Sequence, residues 1–282
     1  MNGDRTATVV IGLGEVGRPL HDLLSEAHKP TIGVDQAEVT IDEEVSIMHL
    51  CYPFHDTEHF VQTALDYTAK YKPAIIVINS TVAPGTTTKL QKRSGVHCVY
   101  SPVRGKHARM HDELRRYQKF VAGSSEESME TVINHFSEAG IPTAKMSKPE
   151  TLELAKLFET TYFGLLIAWA QDMDRFAKAC GSDYLEAAKF FGEIDYLPSR
   201  IFLPGFIGGH CVMPNIDILA TLAKSPLLSA IEEMNTRKAQ ESSEANGKHP
   251  ERLEPLKRPV KARPTGPSKN DQGVKHAESD HT

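Results

Sequence analysis

Up to residue 146 the chain repeats one pattern: a short unbroken apolar run rich in β-branched residues, then a polar stretch of helical length. The runs are ATVVIGLG, TIGVD, VSIMHLCY, AIIVINS, VHCVYS, KFVAG and IPTAKM. They show little apolar–polar alternation, which marks strands covered on both faces. Segments 18–28, 56–70 and 126–139 have the length of helices. Strand and helix in repeated succession dictate a parallel sheet with right-handed crossovers. The expected fold class is therefore α/β, a Rossmann-type doubly wound parallel sheet. With 24% charged and 40% hydrophobic residues, collagen-like, coiled-coil and wholly disordered chains are excluded.

From Pro149 the texture changes to TLELAKLFETTYFGLLIAWAQDMDRFAKACG, whose apolar residues recur at three and four and which Gly181 should end as a C-cap. The middle of this helix is apolar on most sides, so it should pack against a second copy, giving a homodimer through helix 150–180. A further helix is expected over 183–191, then a loop rich in Pro and Gly over 197–214. From Thr236 onward there are five prolines, no aromatics and a mildly basic polar text, read as a disordered tail. The domains expected are 1–146, a cofactor-binding sheet; 147–235, a helical central and dimerisation domain; and 236–282, the tail.

Lys+Arg 32 against Asp+Glu 37 gives a net charge of −5, which argues against nucleic acid as a partner. The longest apolar stretch, 162–170, falls far short of the roughly 20 residues a membrane-spanning helix needs. No signal peptide is visible, and Cys51, Cys98, Cys180 and Cys211 lie far apart without a CxxC spacing. A reduced, cytoplasmic protein with no membrane partner is expected.

Four motifs carry chemistry. Directly after the first strand, Gly12-Leu13-Gly14-Glu15-Val16-Gly17 spells GxGxxG and opens a helix, and Asp35 follows the second strand. In this order the glycines let a backbone turn approach a pyrophosphate, the helix N-terminus supplies amides, and the acid meets a ribose diol. Asp35 would repel a 2′-phosphate, so NAD is expected rather than NADP. The alternative is a turn that merely packs strand on helix. Ser80 and Thr81, in NSTVAPGTT, end another strand at the carboxyl edge, where a nicotinamide pocket or a simple capped loop would both fit. Cys211, in PGFIGGHCVMPN, sits in a glycine loop beside His210; nucleophile and bystander both stay open. Lys156, in ELAKLFETT, is either a solvated helix charge or a cation held near a substrate oxygen. His107 and His111 share a helical spacing but have no further ligand nearby. They are read as surface histidines and no metal is expected. Arg104, Lys106 and Arg109 could receive a phosphate or carboxylate of a substrate.

Together and in order, GLGEVGRPL, GVD, STVAPGTT, SPVR, ELAKLFETTYFGLLIAWAQDM and PGFIGGHCVMPN resemble the UDP-glucose/GDP-mannose dehydrogenase family over about residues 6–220. That resemblance implies oxidation of a sugar-nucleotide alcohol by two NAD through a cysteine-bound intermediate, on a Rossmann domain, a dimerising helical domain and a C-terminal domain. It places Cys211 on the nucleophile, Lys156 on the lysine that steadies the oxyanion, and Gly12, Gly14, Asp35, Ser80 and Thr81 on NAD contacts. Departures are equally specific. Val103 stands where the family has the glutamate that serves thioester hydrolysis. Thr160 stands for an asparagine four residues after the lysine, and Asn215 for an aspartate four after the cysteine. A hydroxyl and an amide still hydrogen-bond, but Asn215 cannot act as a base. Beyond residue 235 no third domain is expected.

Three readings follow: an NAD-dependent oxidoreductase acting on a CH–OH group of a nucleotide sugar or smaller alcohol; a β-hydroxyacid-dehydrogenase-like enzyme, favoured by the two-domain plan; and a catalytically degraded NAD-binding regulatory module, favoured by Val103. The first is preferred because Cys211 and Lys156 stand together with the glycine fingerprint.

Overall fold

The computed structural model describes residues 6–28, 30–37, 39–192, 194, 202–209 and 211–246. Among the described residues, seven strands form one sheet in the order β2-β1-β3-β4-β5-β6-β7. These are β1 (Thr6–Ile11), β2 (Thr31–Val34), β3 (Glu44–Leu50), β4 (Ile75–Ile78), β5 (His97–Tyr100), β6 (Lys119–Gly123) and β7 (Thr143–Lys145). Neighbours from β2 to β5 pair in parallel, β6 runs antiparallel to β5, and β7 is parallel to β6. The apolar runs are buried as expected: Val9, Val10, Met48, Leu50, Ile76, Val77, Ile78 and Val99 are all fully enclosed.

Two cores cover the two sheet faces. One gathers Val9, Met48, Phe60, Ile76, Leu90 and Leu152; the other gathers Val10, Leu20, Leu24, Val77, Val99 and Phe136. The helices that supply them are α1 (Gly17–Ala27), α2 (Thr57–Tyr71), α3 (Thr86–Ser94), α4 (Met110–Arg116) and α5 (Glu126–Glu138). Consecutive strands leave β1 in opposite directions, toward β2 and later β3. The crevice between β1 and β3 is thus a switch point at the carboxyl ends, the place where such sheets bind ligands.

The long helix α6 runs over Pro149–Ala179, with Pro at its first turn, where a missing N–H costs nothing. It stops at Gly181, whose φ is +67°, and the Ser182 amide closes back on the Ala177 carbonyl at 2.8 Å. Its first turns lie in the sheet core through Leu152, whereas Ala168 packs with Ile207, Val212, Ile216 and Ile231. Those partners come from the loop before α8 and from α8 (Val212–Leu222) and α9 (Pro226–Asn246); α7 (Tyr184–Gly192) packs on the distal part of α6 through Tyr184 and Ala188. Helix α9 corrects one expectation. It continues past Asn235, so 236–246 is helical instead of tail. Arg175 of α6 holds Glu241 at 2.7 Å, and Lys238 approaches Asp174 at 3.6 Å, so a polar text here docks by charge on α6. Residues 247–282 lie outside the described residues, as does His210.

Candidate active site

The glycine turn has the shape its sequence predicts, and each glycine has its own reason. Gly12 adopts φ +88°, closed to L side chains, and a Cβ there would meet the Tyr52 amide at 3.0 Å. A Cβ on Gly17 would lie 1.7 Å from the Gly12 carbonyl oxygen, so only glycine lets α1 start against the turn. Around Gly14 a Cβ would meet nothing within 4 Å among the described residues. Among the described residues no side chain caps the N-terminus of α1. An uncapped helix start beside an open glycine fits a pyrophosphate. Leu13 packs on Gly33 and Val16 is half-buried against the second core. Asp35 stands exposed just beyond β2, one strand away from the turn.

The loop after β4 is more structural than its sequence suggests. Ser80 donates to the Tyr52 carbonyl at 2.6 Å, tying the ends of β3 and β4 together. Next to it Asn79 donates to His49 Nδ1 at 3.3 Å, and His49 Nε2 meets His135 Nε2 at 3.1 Å. Burial pushes the pKa of both histidines down, that of His135 to about 3, so they are neutral links in a closed chain. Burial likewise pushes Cys51 up to about 12 and Lys119 down to about 7; Lys119 donates to the Ser101 carbonyl. Thr81 is half-buried in the same loop. Beyond it, α3 is capped from another element: the fully buried Glu153 of α6 accepts from the Gly85 amide at 2.6 Å, the Thr87 amide at 2.9 Å and the Thr87 hydroxyl at 2.6 Å. Burial nevertheless holds the Glu153 carboxyl above its ordinary pKa.

On the helical side, α6 and α8 bring two of the four residues at family positions into contact. Asn215 donates from Nδ2 to Thr160 Oγ1 at 2.9 Å. Lys156 is largely buried, at 12% side-chain exposure, and pairs with Glu159 at 2.9 Å; no hydrogen bond joins it to Cys211 among the described residues. Cys211 is the N-cap of α8 and half-buried. Its Sγ lies 3.6 Å from His107 Nε2, and His107 Nδ1 pairs with the Glu15 carboxylate of the glycine turn. The cysteine loop therefore meets the glycine turn through one imidazole.

His107 was misjudged from sequence as a surface histidine. Its contacts lie 92 and 104 residues away in the chain, beyond any local pattern. The available signal was its place four residues after Val103 in the SPVR motif. Val103 itself is buried in the second core with Met110 and Leu114. Two members of the basic cluster are engaged elsewhere. Arg104 donates to the Gln118 carbonyl and lies over the Phe120 ring, and Arg109 holds Glu113 at 2.9 Å.

Comparison with known proteins follows the same lines. A profile of the UDP-glucose/GDP-mannose dehydrogenase family, central domain, matches residues 150–237. UDP-N-acetyl-D-mannosamine dehydrogenase of Methanocaldococcus jannaschii is 24% identical over 260 residues, 75% of this chain and 60% of the relative. The chain thus spans about three fifths of that relative's length. The structure of UDP-D-ManNAc dehydrogenase from Pyrococcus horikoshii superposes with a TM-score of 0.73 at 20% identity, covering 84% of this chain and 70% of that one. Mycobacterium tuberculosis 3-hydroxyisobutyrate dehydrogenase gives 0.65 at 14%, covering 84% and 94%. At these identities the structural likeness speaks for the fold. Residues 150–237 thus match the central domain of the UDP-glucose/GDP-mannose dehydrogenase family, and over this segment the chain is similar to that family.

Proposed function

We propose that the protein is an NAD-dependent oxidoreductase acting on a CH–OH group, with a nucleotide sugar as the first substrate class and a smaller alcohol as the second. The observation that carries this reading is the convergence of the Cys211 loop on the glycine turn through His107. Gly12, Gly14 and the start of α1 would hold the pyrophosphate, and Asp35 the ribose diol, whose carboxylate would repel a 2′-phosphate. When bound, NAD supplies the hydride acceptor. Cys211 is the thiol poised for covalent work, and the Thr160–Asn215 pair fixes α8 against α6 so that the thiol stays at the helix start. Lys156 supplies a positive charge from the same face of α6 as Thr160. Formation of NADH with UDP-N-acetylmannosamine, UDP-glucose and GDP-mannose tests the reading. Turnover of at least one is expected, reduced about 100-fold or more in Cys211→Ala and Lys156→Ala. NAD binding without turnover of any alcohol would point to a regulatory module.

The two-domain plan of 3-hydroxyisobutyrate dehydrogenase, almost all of which this chain covers, favours a β-hydroxyacid as the second reading. Oxidation of a short hydroxy acid that survives Cys211→Ala would select it.

The protein is further proposed to be a homodimer. Phe158, Tyr162, Trp169 and Phe176 are exposed by 57%, 55%, 53% and 61% along α6, and the last three recur every seven residues, a seam that fits a second copy. Sedimentation should give the mass of two chains, falling to one in Trp169→Glu; a wild-type mass of one chain would refute the seam.

A further inference from the structure

Between the glycine turn and the cysteine loop stands a side chain to which the family resemblance assigns nothing. His107 opens a short 3-10 turn, His107–Arg109, after β5. The chain reverses just before it at Gly105, φ +117°, where a Cβ would lie 2.6 Å from that of the buried Glu113. Glu113 in turn holds Arg109. The segment is thus pinned on α4, and the imidazole projects between two other elements. Glu15, from the turn after β1, faces Nδ1, and Cys211, from the start of α8, faces Nε2 at 3.6 Å. A carboxylate at Nδ1 accepts the N–H there and leaves the Nε2 lone pair toward the sulfur.

We propose that His107, oriented by Glu15, is the catalytic base that takes the proton from Cys211, a role that rests on Cys211 being the reactive thiol of the proposed site. The S–H proton moves to Nε2, its electron pair stays on sulfur, and the imidazolium that results is held at Nδ1 by Glu15. The logic is that of a nucleophile, a base and an orienting acid drawn from three separate elements. Contact with Cys211 above all, and then with Glu15, holds the imidazole's pKa above its ordinary value against partial burial. Among the described residues, the other charged groups of its own segment are Lys106 and Arg109, of which Arg109 is turned to Glu113. Glu15 acts through His107 and is a positioning residue.

Alkylation by iodoacetamide, in which sulfur displaces iodide, tests this on the full chain without cofactor or substrate. Peptide mass spectrometry separates Cys211 from the exposed Cys180, the half-buried Cys51 and the buried Cys98, the last two with thiols that desolvation pushes up to about 12. At pH 7 the Cys211 rate should fall about tenfold in His107→Asn and, in the same sense, in Glu15→Ala. At pH 10, where a free thiol ionises unaided, all three proteins should react alike. A deficit that persists at pH 10 would mean altered access and overturn the proposal, as would a pH 7 rate unchanged by His107→Asn. Should that variant not fold, wild-type Cys211 must still outpace Cys180 at pH 7 and lose that lead at pH 10; equal rates at pH 7 overturn the proposal. If the relay fails while Cys211→Ala still abolishes turnover, the proposed function stands without it.

Discussion

Gly14→Val and Gly17→Val should fail in different ways. A Cβ on Gly14 meets nothing within 4 Å among the described residues, so melting should stay near wild type, within the roughly 0.5 kcal/mol typical of a surface change. It would occupy the space where a pyrophosphate approaches, and NAD affinity should fall about 100-fold or more, a loss of about 2.7 kcal/mol. On Gly17 a Cβ would sit 1.7 Å from the Gly12 oxygen, so α1 must move off the turn. Overpacking of that kind costs about 3 kcal/mol, or roughly 6–12 °C in melting temperature. Calorimetry with NAD and thermal melts read both. Gly14→Val binding NAD like wild type would mean that the dinucleotide does not lie over this turn.

The second large effect is expected far from the cofactor. Glu153→Ala leaves the Gly85 and Thr87 amides and the Thr87 hydroxyl without their acceptor in a buried place. Unsatisfied groups and a lost cap should together cost about 3 kcal/mol, the benefit of no longer burying a carboxyl offsetting part of a larger gross loss. A thermal melt should fall by roughly 6–12 °C. A change within about 1 °C would show that α3 does not depend on α6 for its start. The raised pKa of Glu153 gives the sign of its pH dependence. The folded state binds this proton more tightly than the unfolded chain, so the stability that the group contributes is fully present below its unfolded pKa and lost as pH rises through the folded value.

The sheet and the long helix were legible because both rest on local chemistry. Unbroken β-branched runs such as IIVI of β4 can only be strands covered on both faces, and Gly181 ends α6 because only its φ closes the last turn. The glycine turn was legible for a similar reason: Gly12 has a φ closed to L side chains, and Gly17 packs on the Gly12 carbonyl five residues before it. The family motifs around Lys156 and Cys211 fall in or beside the segment that the central-domain profile matches. What stayed hidden depends on contacts between distant segments. Glu153, the first residue of the ELAKLFETT motif, caps a helix whose first turn lies 66 residues away. Helix α9 was hidden because its polar residues suit a tail as well as a helix. What decides between them is the docking of Arg175 on Glu241 and the burial of Ile231 and Asn235. His107 reads as a surface residue until the fold brings Glu15 and Cys211 to its two nitrogens.

Titration of the unmodified full chain with NAD and with NADP in a calorimeter tests most directly whether a dinucleotide rests at the β1–β3 crevice. Saturable uptake of one NAD per chain is expected, with markedly weaker uptake of NADP, turned away by Asp35. No heat of binding with either, or a preference for NADP, would contradict it.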